Sequence, residues 1–207
     1  MSGSQLLRLA EVMARLRQEC PWDAEQTHAS LLPHLLEETA EVVDAVESGG
    51  DEDLREELGD LLLQVYFHAE IARTQGRFTL EEVAEGITDK LIRRHPHVFA
   101  GTPAPDDKEA AWEAAKREEK GRTSALQGIP RSLGTLSKTQ KVVSRARSHR
   151  VRIELPAEPI TADETGAAIV ELVCRAQASG VDAEAALRSA LRALEDRVRY
   201  AEEIPGQ

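Results

Sequence analysis

The chain has 207 residues, of which 41% are hydrophobic and only 3% aromatic, so it can build a real core but not a typical all-β one. Acidic residues outnumber basic ones by 37 to 26, and the net charge of −11 makes the chain a poor general binder of nucleic-acid backbone. Such a charge suits a partner that arrives with cations, for example a metal-chelated phosphate.

Apolar residues recur at helical spacing along most of the chain, and glycines and prolines separate the helices that this spacing predicts. Thr79 and Glu82 are spaced as a capping box at the start of one of these helices. No segment alternates as a strand does, so we predict an all-α fold. The predicted helices span about residues 5–18, 31–47, 52–73, 80–94, 107–120, 163–178 and 182–201, with a helix stop at 20–23 and a short loop at 24–30.

The two cysteines, Cys20 and Cys174, are too few and too far apart for a disulfide framework, which indicates a reducing compartment. The first twenty residues alternate apolar and charged side chains, unlike a signal peptide. No run approaches the roughly 20 apolar residues of a membrane span. We therefore expect a cytoplasmic protein with no membrane partner.

Acidic residues are concentrated between positions 37 and 60, where eleven acidic side chains face one basic side chain. At about 100° per residue, Glu38 and Glu41 lie on one margin of the apolar stripe of their helix. Glu57 and Asp60 occupy the same margin of the next helix. If the two helices pack antiparallel across the intervening turn, these four carboxylates converge.

Four converging carboxylates repel each other where the dielectric is reduced, so a bound cation is needed to neutralise them. Oxygen ligands favour a hard divalent ion, and Mg²⁺, with Mn²⁺ as a substitute, is commonly completed by substrate phosphates. A di-iron bundle is the alternative, but its Glu-x-x-His pattern occurs here only at Glu25 to His28, in a predicted loop. The carboxylates therefore favour a metal without redox chemistry.

Several motifs occur in a fixed order around the acidic residues. They are Cys20-Pro21-Trp22-Asp23, Glu37-Glu38-x-x-Glu41, Glu56-Glu57-x-x-Asp60, Lys90-Leu91-x-Arg93-Arg94-His95-Pro96 and Ile129-Pro130-Arg131-Ser132-Leu133. Together they resemble the motifs of the MazG nucleoside triphosphate pyrophosphohydrolases, which belong to the all-α NTP pyrophosphatase superfamily. The resemblance covers at least residues 5–142.

This resemblance implies a MazG-like four-helix bundle core and a homodimer. It also implies Mg²⁺-dependent hydrolysis of NTPs or dNTPs to the monophosphate and pyrophosphate, in nucleotide-pool cleaning or regulation. The implied metal ligands are Glu38, Glu41, Glu57 and Asp60. The implied catalytic residues are Glu37, Glu38 and Glu56, with Glu37 and Glu56 either outside the ligand set of the metal or orienting water. The implied substrate contacts are Lys90, Arg93, Arg94, Trp112, Lys116, Trp22 and His28. Packing roles for Trp22, His28 and Trp112, and a helix-dipole role for the basic run, are alternatives.

Long MazG proteins carry two copies of the domain, and here the second copy is shortened. Glu164-Thr165-Gly166-Ala167 weakly repeats Glu57-Leu58-Gly59-Asp60, but Ala167 removes a ligand. We therefore predict a catalytic domain over residues 1–120 and a degenerate second MazG-like helical region over 121–207, without chemistry of its own. The functional alternative is a non-catalytic nucleotide-sensing or protein-interaction module.

Residues 138–152 carry six basic side chains and no acidic one. Such a stretch could hold phosphate or a regulatory nucleotide. A solvated basic face is the favoured interpretation, because charged runs usually face water.

Overall fold

The computed structural model describes residues 5–203, except for the side chains of residues 108–110. Over these residues the chain forms ten helices and no strand, which confirms the predicted all-α fold. The helices are α1 (Gln5–Glu19), α2 (Pro21–Glu25), α3 (Leu32–Ser48), α4 (Asp51–Thr74), α5 (Leu80–Arg94), α6 (Pro96–Phe99), α7 (Lys108–Glu119), α8 (Thr135–Ser148), α9 (Ala162–Ala178) and α10 (Ala183–Glu203).

Three helices were not predicted from the sequence. The short helices α2 and α6 both begin at a proline, a residue that ends the preceding helix but fits the first helical position, where no backbone N–H is needed. The predicted stop at 20–23 and loop at 24–30 are therefore partly wrong, because α2 runs from Pro21 to Glu25. The third, α8, lies in the basic stretch and buries Val142, Arg145 and Ala146.

Capping boxes fix the starts of two helices. The Thr79 Oγ1 accepts a hydrogen bond from the Glu82 backbone N–H at 3.2 Å, and the Glu82 carboxylate accepts one from the Thr79 backbone N–H at 2.7 Å. This confirms the capping box predicted for α5. Thr161 and Glu164 make the same pair of contacts at the start of α9. Glu164 therefore caps its helix, whereas Glu57 lies two turns inside α4.

The chain divides into two compact units, the first ending at Phe99 and the second beginning at Ala100. In the first unit, α3 and α4 form a hairpin, α1 and α5 pack on α4, and α2 packs on α1. Its core is a cluster of five buried side chains from α1, the start of α3 and the second half of α4: Met13, Leu31, Tyr66, Phe67 and Ile71.

The turn between α3 and α4 depends on close approach of the backbone. A Cβ at Gly49 would lie 2.8 Å from the carbonyl oxygen of Ala45, too close for any side chain. The glycine lets α4 begin with only two residues between it and the end of α3, and this fixes the pairing of the two acidic helices.

The second unit has a separate core between α8, α10 and the segment that leads into α8. Its buried members are Ala125, Val142, Ala146, Leu191 and Val198. In this unit α8 contacts α7 and α10, and α9 contacts α10. The boundary between the units lies before α7, whereas the boundary predicted from the sequence lies after it. Among the described helices, none is both long enough and apolar enough to cross a membrane.

Candidate active site

The hairpin of α3 and α4 brings carboxylates from both helices together. Ligand oxygens of Glu38, Glu41 and Glu57 all lie within 4.8 Å of one another. Glu38 and Glu57 are partly buried, and Glu41 is exposed to solvent. Glu38 and Glu41 lie on the same side of α3, because positions i and i+3 are neighbours on a helix surface. The hairpin places Glu57 of α4 opposite them, so the two acidic motifs form one cluster.

The electrostatics of the cluster include Asp60 as well. Partial burial, followed by the negative charges of Asp60 and Glu41, raises the pKa of Glu38 above its ordinary value. Partial burial and the charges of Glu41 and Asp60 also raise the pKa of Glu57. Glu38 and Glu57 are therefore harder to ionise beside the other carboxylates, as expected for acids that share a site.

Hard oxygen ligands at this spacing fit a divalent cation. Mg²⁺ binds carboxylate oxygens at metal–oxygen distances of about 2.1 Å. Glu38, Glu41 and Glu57 would hold such an ion, because their ligand oxygens already lie within 4.8 Å of one another. No cysteine or histidine belongs to the cluster, so its donor set suits Mg²⁺ or Mn²⁺ better than softer metals.

Glu37 and Glu56 lie beside the cluster, each one position before a carboxylate that belongs to it. Both are exposed to solvent. The charge of Glu37 contributes to the raised pKa of Glu38, and the charge of Glu56 contributes to that of Glu57. They are close enough to influence the cluster without being among its three converging members.

Trp22 and His28 contact α4 beyond the acidic cluster. The Trp22 ring meets the Phe67 ring edge-on, with centroids 6.4 Å apart, yet it remains 55% exposed. The His28 ring stacks on His68 at 5.0 Å, and their Nδ1 atoms are 2.7 Å apart. His68 follows Asp60 by about 12 Å along the helix axis, at roughly 1.5 Å per residue.

Arg77 was not anticipated from the sequence. Its guanidinium contacts the Nε2 atom of His28, and burial together with Arg77 lowers the pKa of His28. The sequence contained one signal, the glycine at position 76: a glycine just after a helix end commonly takes a positive φ, and here φ is 65°. A residue directly after such a glycine turns back towards its helix, and the Arg77 backbone N–H donates to the Ala72 carbonyl at 3.0 Å.

Lys90, Arg93 and Arg94 occupy the last turns of α5, as predicted. Lys90 and Arg94 are partly buried and Arg93 is exposed. Because Ile87 lines the same cavity as Leu62, α5 runs back along α4 towards the half that carries Asp60. The basic run therefore extends in the direction of the acidic cluster.

Trp112 and Lys116 lie on α7, in the second unit. The ammonium group of Lys116 is 5.4 Å from the centre of the Trp112 ring and 2.8 Å from a carboxylate oxygen of Glu113. Their predicted contact with nucleotide stays a prediction. Glu113 itself was not singled out from the sequence, because only tertiary packing buries it.

Comparison with known proteins gives one family. Residues 26–99 match the family described as the MazG nucleotide pyrophosphohydrolase domain. A nucleoside triphosphate pyrophosphohydrolase of Escherichia coli (strain K12) is 49% identical over 150 residues, which is 69% of this chain and 57% of that protein. The chain thus spans little more than half the length of this relative.

Two other relatives align over nearly the whole chain. An uncharacterised 26.1 kDa protein of Streptomyces cacaoi is 43% identical over 207 residues, covering 98% of this chain and 84% of that protein. The nucleoside triphosphate pyrophosphohydrolase/pyrophosphatase MazG of Thermotoga maritima is 36% identical over 225 residues, covering 98% of this chain and 88% of that protein. Since the family match also includes both helices that carry the acidic cluster, the chain belongs to the MazG nucleotide pyrophosphohydrolase family.

Proposed function

We propose that this chain hydrolyses nucleoside triphosphates, with ribose or deoxyribose, to the nucleoside monophosphate and pyrophosphate, in cleaning or regulation of the nucleotide pool. The observation that carries the proposal is the convergence of Glu38, Glu41 and Glu57 from two helices. Relatives similar over 69% and over 98% of this chain are named nucleoside triphosphate pyrophosphohydrolases, which supports the same activity here.

The proposed cofactor is Mg²⁺, for which Mn²⁺ can substitute. Glu38, Glu41, Glu57 and Asp60 would hold it, and the charges of neighbouring acids that raise the pKa values of Glu38 and Glu57 support this grouping. A bound divalent cation supplies positive charge to the triphosphate and lowers the pKa of water.

In the proposed reaction, water attacks the α-phosphorus, and the bond from that phosphorus to the bridging oxygen of the β-phosphate breaks. Pyrophosphate leaves with the bonding electrons, and the proton of the water is released to solvent. Glu37 and Glu56, at the edge of the cluster, would orient the water. Glu38 would bind the metal and would also take part in the attack of the water. Lys90, Arg93 and Arg94 would neutralise the charge on the departing pyrophosphate.

Nucleotide contacts are proposed for four further residues. The largely exposed ring of Trp22 and the His28 imidazole lie along the helix that carries Glu57 and Asp60, which supports a place for them beside the nucleotide. Trp112 is proposed to stack on the base and Lys116 to meet a phosphate. These assignments rest on the family's pattern.

We further propose a cytoplasmic homodimer. Cys20 and Cys174 are both free thiols, which suits a reducing compartment. Helix α5 has no buried residue, and Val83, Ile87 and Leu91 form a stripe on it that is 39–46% exposed. Because short helices depend on burying their apolar face, a second copy of the chain is the proposed partner of this stripe.

The identity of the products tests the proposed reaction. With Mg²⁺ and a panel of NTPs and dNTPs in ¹⁸O-enriched water, we expect pyrophosphate to be released and the label to enter the monophosphate. Nucleoside diphosphates should be poor substrates, because they lack the γ-phosphate that the basic run would hold. Orthophosphate as the first product, or label in pyrophosphate, would refute attack at the α-phosphorus. Absence of any turnover would favour the non-catalytic sensing module instead.

A further inference from the structure

A polar cavity of about 470 Å³ is formed wholly by residues of the second unit. Its volume lies within the range of about 300–1,000 Å³ that is typical of small-molecule sites. The side chains that characterise it are Arg117, Arg122, His149, Arg150, Arg152 and Glu202. Four arginines around one cavity are unusual in a chain with a net charge of −11.

Two helix ends place the arginines at the cavity. Helix α7 ends in a Schellman motif, in which Gly121 has a φ of 54° and the Arg122 backbone N–H donates to the Arg117 carbonyl at 3.0 Å. Helix α8 ends in the same motif, with the Val151 backbone N–H donating to the Ala146 carbonyl at 2.9 Å. The left-handed position of this second motif, usually a glycine, is Arg150, with a φ of 54°.

The positive charge of the cavity is not balanced by its surroundings. Among the described residues, none of Arg117, Arg122 and Arg150 has an ion-pair partner, and Glu202 is the one carboxylate in the lining. The two helix ends contribute about half a negative charge each. The charges of Arg117, Arg122 and Arg150 exceed those of Glu202 and the two helix ends by about one positive charge, even when Arg152 is not counted. This excess favours an anion.

Two buried polar atoms next to the cavity lack partners. Within the described part of the chain, neither the Arg122 Nη1 nor the His149 Nε2 has a hydrogen bond, although both are inaccessible to solvent. Burial, followed by Arg117 and Arg145, lowers the pKa of His149, as expected where positive charge is concentrated. Gly128 keeps space for the Arg122 guanidinium, since a Cβ there would lie 3.1 Å from its Nη2. An anionic oxygen beside these groups would remove the cost of leaving them unsatisfied.

The rest of the basic stretch is occupied elsewhere. Lys138 pairs with Glu195 at 2.9 Å, and Lys141 pairs with Glu113 at 3.2 Å. Arg147 donates to the carbonyl of Pro156. The sequence stretch is therefore not one uniform basic face: its first part holds the unit together, and its end opens onto the cavity.

We infer that this cavity binds a multiply charged phosphate, either inorganic pyrophosphate or the phosphate chain of a nucleotide. Guanidinium groups suit this ligand because each can donate two parallel hydrogen bonds to phosphate oxygens. Binding involves residues of the second unit only and does not depend on the proposed hydrolysis.

The test is calorimetric titration of the full chain with inorganic pyrophosphate in excess EDTA, where metal-dependent turnover is absent. We expect saturable binding that weakens about tenfold or more in Arg122→Gln and in Arg150→Gln, because each removes a charged donor. Arg175→Gln is the matched control: it makes the same charge change on exposed α9, and should bind within twofold of the unaltered chain. Circular dichroism monitors the fold of each variant. If Arg122→Gln is unstable, Arg150→Gln decides the outcome, because Arg150 is exposed and its substitution disturbs little packing.

Four results would overturn the inference: three concern whether and where the anion binds, and the last concerns its charge. One is the absence of saturable binding up to millimolar pyrophosphate, and another is equal affinity in Arg150→Gln and Arg175→Gln. The third is loss of binding in Arg93→Gln but not in the cavity variants, which would place the anion on α5. A nucleoside triphosphate that displaces pyrophosphate would identify a nucleotide's phosphate chain as the ligand, and failure to displace it would identify the free anion. Orthophosphate binding as tight as pyrophosphate binding would contradict the requirement for multiple charge.

Discussion

The partly buried carboxylates of α3 and α4 repel one another and so lower the stability of the folded chain, although the proposed metal site needs them. Glu38 and Glu57 have raised pKa values because each lies partly buried among other carboxylates. The helices could pack with less repulsion if these positions were neutral. The pairing of α3 and α4 nevertheless brings three glutamates within 4.8 Å, and the proposed cation would neutralise their repulsion.

Neutralising any one proposed ligand should abolish most of the activity. We expect Glu38→Gln, Glu41→Gln, Glu57→Gln and Asp60→Asn each to reduce Mg²⁺-dependent NTP turnover about a hundredfold or more, since an amide is a poor substitute for a carboxylate ligand. Without metal, some of the same changes should raise the melting temperature, because repulsion is removed. Turnover assays and thermal melts in EDTA measure the two effects.

The control for these variants is Glu52→Gln, which makes the same change on α4 but at an exposed residue paired with Arg55. It should alter neither turnover nor melting temperature by much, since exposed pairs contribute little. Wild-type turnover by Asp60→Asn would contradict the assignment of that residue to the metal.

At the scale of elements, α7 and α8 are joined by a buried charged group. Glu113 is 3% exposed and lies 2.8 Å from the Lys116 ammonium, 3.2 Å from that of Lys141 and 3.7 Å from the Arg145 guanidinium. Burial opposes ionisation of Glu113, but the hydrogen bonds from Lys116 and Lys141 outweigh it and lower the pKa of Glu113 to about 2. The contact between these helices thus depends on Glu113 being charged.

This arrangement predicts a pH-dependent stability of the second unit. The pKa of Glu113 is lower in the folded chain than its ordinary value of 4.5, so its stabilisation is complete above pH 4.5 and is lost as the pH falls towards 2. The full contribution is about 3 kcal/mol. Calorimetric unfolding should show Glu113→Gln to be less stable at pH 7 by about that amount, and the difference should shrink by pH 3.

A matched change is Glu171→Gln on α9, whose pair with Arg175 is exposed. It should change the unfolding free energy by no more than about 0.5 kcal/mol. If Glu113→Gln were no more destabilising than Glu171→Gln at pH 7, the buried ion pairs would not be what stabilises the contact between α7 and α8.

For the whole molecule, the apolar stripe of α5 is one surface that a single chain leaves uncovered, as it also does the apolar residues of α9. Val83, Ile87 and Leu91 recur at i, i+4 and i+8, yet none is buried. The nearby cavity of about 770 Å³, lined by apolar residues of α1, α4 and α5, extends this surface. An uncovered apolar surface of this kind is typical of an interface between chains.

We expect Ile87→Glu to convert a dimer into a monomer, because it would place a charge at the centre of the proposed interface. Light scattering coupled to size-exclusion chromatography measures the mass directly. The control is Val170→Glu, an equally drastic change at an exposed residue of α9 in the second unit. Dimers that persist in Ile87→Glu, or that also dissociate in Val170→Glu, would contradict an interface on α5.

Much of the fold and of the acidic site follows from local spacing. Helical periodicity predicted most of the long helices, because the spacing of apolar residues shows both that a segment is helical and which side of it is apolar. The positions of Glu38 and Glu57 relative to that apolar side predicted that the carboxylates would meet. The Thr79–Glu82 capping box was equally visible, since both partners lie within one turn of the chain. The motifs also identified the family, which the comparisons confirm.

What the sequence could not determine is which charged side chains find partners from distant parts of the chain. Lys141 and Arg150 look alike within one basic stretch, yet tertiary packing pairs the first with Glu113 on α7 and turns the second towards a cavity. The periodicity of α8 is likewise obscured by basic residues, and its helix is recognisable only once Val142 and Ala146 are seen in a core with Leu191. Local patterns specify helices and their faces, whereas burial and long-range contacts decide what each face meets.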